Sequence, residues 1–431
     1  MPAGRLKADP ATAPIARPAI TGRLPPLPLA AAPRTSSKPP STDRKEREKS
    51  KPGGAKPGHE GHSRVMSGTP DEVVEHRPDR CACCGGGLPG DLPADLVSVS
   101  EHIDLPPVQP RITHHQRLAV RCPACGARVV APVPEAARGT PFGPRLHAVA
   151  TYLKTFQALS YERLQAALSD LFGLSLGQGG LMNLLRRAQG RFRPGREAAI
   201  SALRRAEVVA SDETGVRIEG CNAYHWVFRS PEAVVHQAAP TRAASVIRAL
   251  MDGHRPAVWL SDRYSAQQGH TGAQQTCLAH LARDVAYARE ASEDPLPFRL
   301  ELWLRSVFDL AGAITTFAAS TLAAKRRALE RRLADILEAP TTCDLAHDLQ
   351  RKFCRARDQL LTFVAFPGAV EVTNNACERA LRPAVVQRKV TNGYRAMWAA
   401  EGEAAIRTVV DTARLRPGTS PFSTILKTLH A

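Results

Sequence analysis

The chain of 431 residues is long enough to bury more than one core, so two or three domains are expected. Its 58 lysines and arginines outweigh 41 acidic residues, giving a net charge of +17 and a pI of about 9.8, which favours a polyanionic partner, nucleic acid ahead of acidic membrane. No apolar run is long enough to span a bilayer and the first residues lack the apolar stretch of a signal peptide, so neither a membrane protein nor a secreted one is expected.

Residues 1–70 are rich in proline, alanine, lysine and arginine, with almost no aromatic anchor. Such a stretch buries too little apolar surface to offset its chain entropy, so a disordered basic arm able to touch phosphates is expected. Residues 75–135 hold two strand-like pieces, "LVSVSEHIDL" and "QRLAVRCPACGARVVAPV", around the pairs Cys81-x2-Cys84 and Cys122-x2-Cys125. Each CxxC bends the backbone so that two thiolates converge, and two such pairs make a closed, structural Zn2+ site of the zinc-ribbon kind. Cys83 makes the first pair ambiguous, and His114 or His115 are alternative ligands. Buried reduced thiols are the competing reading.

Residues 140–200 turn helical. "GPRLHAVATYLKTFQAL" keeps apolar residues at helical spacing, Ser160 caps "YERLQAALSDLF", Gly173 stops it, and "GGLMNLLRRAQGRF" starts another helix. Short helices joined by glycine turns resemble a helix-turn-helix, with Arg186 and Arg187 as DNA contacts; a plain helical bundle is the alternative.

After Leu203 the period shortens. "AEVVASDET" reads as a buried strand ending in acids, "VRIEGCNAYHWVFRS" as a hairpin around Glu219-Gly220-Cys221-Asn222, and "EAVVHQAA" as a third strand. "TRAASVIRALM" is a helix, "PAVWLSD" a strand ending in an acid, and "QQTCLAH" a last strand entering the helix "LARDVAYAREA". The expectation is a multidomain α/β chain: a mixed sheet begun over 204–295, a charged helical insertion over 296–365, and the rest of the core over 366–431. In "VTNNACERALRP", Val372 to Pro383, Thr373 or Asn374 can cap a helix that stops near Pro383, with Glu378 in its first turn.

Asp212 and Asp262 each end an apolar strand, and a lone aspartate there is usually a turn residue. Two adjoining strands would bring both carboxylates to one sheet edge, where Glu378 from a nearby helix completes a cluster. Like charges held so close repel unless a cation binds, and Mg2+ suits carboxylates together with phosphate oxygens. That is the two-metal arrangement for displacement at phosphorus. Glu213 would face away from Asp212 if the strand continues.

Together "SDETGVRI", "YHWVF", "LSDRYSAQ", "TCLAHLARD" and "TNNACERALRPAVVQRKVTNGYRAMWAAEGEAAIRTVVDTAR" resemble the DDE transposases of the insertion sequence sixty-six family. "GGAKPGHEGHSR", the cysteine pairs and "FGPRLHAVATYLKTFQALSYERL" are similar to that family's upstream segments in the same order. The resemblance implies a ribonuclease-H-like core with a helical insertion before the last acid, and a transposase that binds terminal inverted repeats. Asp212, Asp262 and Glu378 would then be catalytic and hold Mg2+ or Mn2+. Arg379, Arg382, Arg388 and Lys389 would meet DNA phosphates, His280 would touch DNA or position the site, and Asn374 and Asn375 would cap the Glu378 helix, one amide reaching DNA. The implied partners are double-stranded DNA, further copies of the chain and accessory proteins of the same element, in the cytoplasm and on the nucleoid. Leu278, "LARD" and "LGQGGLM" depart from the family pattern, which bears on DNA-end specificity. A stand-alone nuclease on the same fold, or a decayed DNA-binding copy, are the alternatives.

Overall fold

The structure, a computed structural model, describes residues 64–106, 108–135 and 138–430, so most of the expected basic arm lies outside the described residues. All the described helices and strands belong to the compact unit formed by residues 72–431. Among the described residues no helix is long and apolar enough to cross a membrane.

The cysteine-rich segment is thinly folded. β1 (Ala119–Arg121) and β2 (Arg128–Val130) pair antiparallel around Val120 and Val129 and are exposed along their length. The strand expected from "LVSVSEHIDL" is not formed: Val97 and Leu105 are 94% and 85% exposed, so its apolar alternation has no core to face.

Three helices follow, α1 (Pro144–Thr155), α2 (Tyr161–Phe172) and α3 (Gln178–Arg204). The Ser160 hydroxyl accepts from the Arg163 amide at 3.2 Å, and Gly173 ends α2 in the left-handed region at φ 62°. Leu164 and Leu168 of α2 interlock with Leu181, Leu184 and Leu185 of α3. α3 runs on through Pro194, and its last turns press Ala199, Ile200 and Leu203 onto the sheet. One long helix therefore joins the helical segment to the core.

The sheet is built from β3 (Val208–Ile218), β4 (Cys221–Arg229), β5 (Val234–Ala239), β6 (Val258–Ser261) and β7 (Ala273–Thr276), in the order β5-β4-β3-β6-β7. β4 runs antiparallel to both β3 and β5, while β6 and β7 lie parallel to β3. The first hairpin turns on Glu219 and Gly220, both at positive φ, so Cys221 and Asn222 already belong to β4. One face, with Val209, Trp226, Phe228 and Trp259, is covered by α3 and α4 (Ala244–Met251). On the other face lie α5 (Leu278–Ala291) and the insertion α6 (Pro295–Gly312), α7 (Ala319–Leu337) and α8 (Asp344–Ala356), whose cluster includes Val258, Leu281, Trp303 and Phe353.

α9 (Asn375–Thr391) packs Cys377 and Leu381 on Val227 and Val234. It does not stop at Pro383 but continues two turns further, to Asn392 at φ 56°. Proline removes one amide and crowds the carbonyl four residues back, a local cost that packing on the sheet outweighs. Gly393, at φ 100°, lets the chain lie against β3: a Cβ there would collide with the Arg217 carbonyl oxygen. Then α10 (Met397–Ala413) covers the edge of β5, and α11 (Pro421–His430) closes the chain. Thr408 and Thr412 accept hydrogen bonds from the His236 and Val234 amides at 2.9 and 3.0 Å, which blunts an edge that could otherwise pair with another strand.

Candidate active site

The strand register brings the two aspartates together. β3 and β6 pair in parallel from Val208 with Val258 to Ala210 with Leu260; two residues further along each chain stand Asp212 and Asp262. Asp262 lies just past β6, and its carboxylate accepts from the Tyr264 amide at 2.8 Å, so it is a turn residue as well. Asp212, expected to end its strand, stands in the middle of β3, because β4 keeps pairing with β3 beyond the point where β6 stops.

Alternation along β3 puts Asp212 on the face of Ala210, which packs beside Cys377 of α9. Glu213 faces the other way and is tied to Arg242 at 2.5 Å and to Gln267. Gln267 also accepts the Ser211 hydroxyl, and the Trp259 indole donates to that hydroxyl at 2.9 Å, fixing β3 against β6 behind the acids. This bracing escapes the sequence, since Arg242, Ser211 and Gln267 carry no shared spacing.

Glu378 sits in the first turn of α9. Asn374 takes the N-cap position of that helix, as expected, but its side chain makes no cap bond. Its amide group donates instead to the Ser211 carbonyl at 2.8 Å, and its backbone N–H to the Cys277 sulfur at 3.1 Å, bolting the start of α9 to β3 and α5. Asn375 is exposed. The Glu378 carboxylate lies 3.4 Å from Arg283 and 3.9 Å from His280, both on α5. Cys277, His280 and Arg283 follow one another at three-residue spacing, the signal that could have disclosed this group. Among the described residues the three acids are not within 4.8 Å of one another; Cys277, His280 and Glu378 are.

Burial first, then the charges of Glu213, Asp262 and Glu378, push the Asp212 carboxyl up to about 8. Its acid form is favoured by folding, so between about pH 4 and pH 8 the folded chain holds a proton that the unfolded chain releases. Stability tied to this group is complete below pH 4 and is lost as pH rises towards 8. Asp212→Asn is therefore expected to raise the melting temperature at pH 8 in chelator by a few degrees, on the order of 2 kcal/mol after allowance for solvent screening, with little effect near pH 5. Thermal melts of both proteins across that pH range check this; a variant no more stable at pH 8 than the native chain contradicts it.

Of the basic residues expected to meet DNA, Arg186, Arg187, Arg379, Arg382 and Lys389 are exposed and Arg388 is half-buried. Arg186 stacks over Trp398 at 5.2 Å, and Arg388 donates to the Gly215 carbonyl, so both are partly committed within the fold.

The two cysteine pairs repeat one design. The Cys81 amide donates to Gly86 and its carbonyl accepts from Gly85; Cys122 does the same with Ala127 and Gly126, all at 2.8 or 2.9 Å. Gly85 and Gly126 take φ 72° and 73°. Backbone N–H groups of Cys84 and Cys83 hold the Cys81 thiol below its ordinary value, and those of Cys125 and Ala124 do so for Cys122. Amides aimed at sulfur favour the thiolate that a zinc ion requires, so each loop fits as half of a zinc site. No three of the four sulfurs lie within 4.8 Å of one another.

Residues 139–402, well over half of the chain, match the family described as Transposase IS66 family. The chain belongs to the IS66 transposase family. Residues 78–126 match the zinc-finger binding domain of transposase IS66, a span that takes in both cysteine loops and supports structural zinc in this transposase. Among curated proteins the transposase finds no match.

In the transposase no described residue between 64 and 135 is buried, so apolar packing contributes little to the finger and metal ligation has to hold it. A zinc chelator is expected to make residues 78–126 susceptible to protease within minutes while the melting temperature of the α/β core stays within about one degree. Limited proteolysis with mass spectrometry reads this, and a finger as resistant without zinc as with it would overturn the expectation.

Proposed function

We propose that this transposase cuts DNA at the ends of its element and joins them to a target by metal-assisted phosphoryl transfer on a ribonuclease-H-like core. The sheet order, three antiparallel strands followed by two parallel ones, supports that core. The observation that carries the reading is that the β3–β6 parallel ladder ends two residues before both Asp212 and Asp262, where burial and neighbouring acids push the Asp212 carboxyl up to about 8. Burial first, and the neighbouring acids second, disfavour a bare carboxylate there, a cost that a bound cation would relieve.

Asp212, Asp262 and Glu378 form an all-oxygen donor set suited to Mg2+ or Mn2+. When bound, such an ion supplies charge at the phosphoryl oxygens and lowers the pKa of the attacking group. With such an ion held there, Asp212 would serve as a carboxylate, its proton going to solvent. Arg379, Arg382, Lys389 and the free side of Arg388 grip phosphates of the bound end along α9, while Arg187 and the free edge of Arg186 extend the track along α3. Water attacks the scissile phosphate and the 3′-oxygen departs; the resulting 3′-hydroxyl attacks target DNA. No covalent protein–DNA bond is required.

Cys81, Cys84, Cys122 and Cys125 hold structural zinc, and the ribbon over 75–135 and the helix-turn-helix-like segment over 140–200 read the DNA end. The core over 204–295 and 366–431 does the chemistry, with 296–365 inserted. Two ends must be held together, which calls for more than one copy, and accessory proteins of the same element would join them.

The test is purified protein with labelled DNA carrying the element's ends and Mg2+. End-specific nicks bearing 3′-hydroxyls and joined products are the expected result. Nicking without end preference or joining would indicate a stand-alone nuclease instead. Specific binding without any metal-dependent product, even with the element's other proteins added, would indicate a decayed copy.

A further inference from the structure

We propose that Cys277, His280 and Glu378 form a second metal site, selective for a thiophilic divalent cation such as Zn2+, which draws Glu378 away from the two aspartates. The three side chains each offer one ligand atom, all within 4.8 Å of one another. They come from two elements: Cys277 is the residue before α5, His280 lies in its first turn, and Glu378 is in the first turn of α9. Asn374 ties those two elements together by donating to the Cys277 sulfur, so their approach is built into the fold.

Zinc bonds of about 2.0–2.3 Å in a tetrahedron set donors about 3.3–3.7 Å apart. The His280 Nε2 to Glu378 Oε1 distance of 3.9 Å needs to close by only about half an ångström. The other ring nitrogen, Nδ1, is enclosed and has no hydrogen-bond partner among the described residues. The Cys277 sulfur is buried and already accepts the Asn374 amide, as ligating sulfurs do. On binding, its thiol proton passes to solvent and the sulfur–metal bond forms without change of oxidation state.

The donor chemistry separates the two sites. Sulfur and imidazole select zinc-like ions, whereas the aspartates with Glu378 select Mg2+ or Mn2+. Glu378 is common to both and serves one at a time. Zinc binding here does not depend on the catalytic reading; its inhibitory consequence does.

The test measures Zn2+ retained by full-length protein after equilibration with buffered Zn2+, by elemental analysis, for wild type, Cys277→Ser and His280→Gln. Serine keeps an acceptor for the Asn374 amide, and the histidine variant covers the case in which the serine variant does not fold. The expected result is one equivalent fewer in each variant, with the finger's metal retained, and at least about tenfold weaker competition against a zinc indicator. Equal zinc content and equal affinity in all three proteins would overturn the site, whatever the outcome of a DNA cleavage assay.

Discussion

Glu378→Gln is expected to slow DNA-end cleavage by about 10³-fold or more while fold and DNA affinity stay intact. Glutamine keeps the shape and one acceptor oxygen but removes the charge a divalent cation needs. The fold should tolerate the change, because the side chain is about one-third exposed and its contacts with Arg283 and His280 are long, at 3.4 and 3.9 Å. Surface pairs of that kind contribute roughly 0–1 kcal/mol. α9 keeps its packing through Cys377 and Leu381 and its anchor through Asn374. Single-turnover cleavage with gel-shift binding separates the effects. Cleavage within about tenfold of wild type would remove Glu378 from the chemistry.

Arg407→Ala should give the largest loss of stability, about 3–5 kcal/mol. Arg407 is fully buried and holds three partners: Glu403 at 2.9 Å, Gln387 at 2.7 Å and the Thr155 carbonyl at 2.6 Å. Those partners lie on α10, α9 and the end of α1, so a single guanidinium links the front helices to the helix carrying Glu378. Removing it strands Glu403, itself only 4% exposed, without a countercharge. The double variant Arg407→Met, Glu403→Leu should recover most of the loss, since replacing both members of a buried pair with apolar groups avoids the stranded charge. Denaturant melts of the native chain, Arg407→Met, Glu403→Leu and the double variant form the cycle, with Arg407→Ala melted beside them. A double variant as unstable as Arg407→Ala would show that packing, not the unpaired charge, sets the cost.

These two residues differ in how far the sequence discloses them. Glu378 is legible because its helix begins with turn-forming residues and because two apolar strands elsewhere end in acids. The Ser160 and Gly173 boundaries of α2 are likewise local, set by a hydroxyl and by a residue without Cβ. Arg407 and Glu403 look like an ordinary surface pair four apart; burial comes from α1 and α9, which no local pattern reveals. The same holds for the buried chain in which His225 meets His236 at 2.9 Å and His236 meets Asp411 at 3.0 Å. Asp212 reads as a strand end because charge after an apolar run looks like a stop, whereas β4 pairs with that stretch from the other side. Asn374 reads as a side-chain cap because its real acceptor, the Ser211 carbonyl, is distant in sequence. Pro383 reads as a stop because local chemistry disfavours it inside a helix, and only tertiary packing carries α9 past it.

The claim that three carboxylates carry out metal-assisted transfer on DNA is met most directly by replacing one non-bridging oxygen of the scissile phosphate with sulfur. Single-turnover cleavage of the two phosphorothioate isomers is followed in Mg2+ and in Mn2+. One isomer should react poorly with Mg2+ and recover with Mn2+, because sulfur is a poor ligand for the harder ion, and Asp262→Asn should abolish that recovery. Equal rates for both isomers in both metals, or cleavage that persists in chelator, would contradict a metal held by Asp212, Asp262 and Glu378.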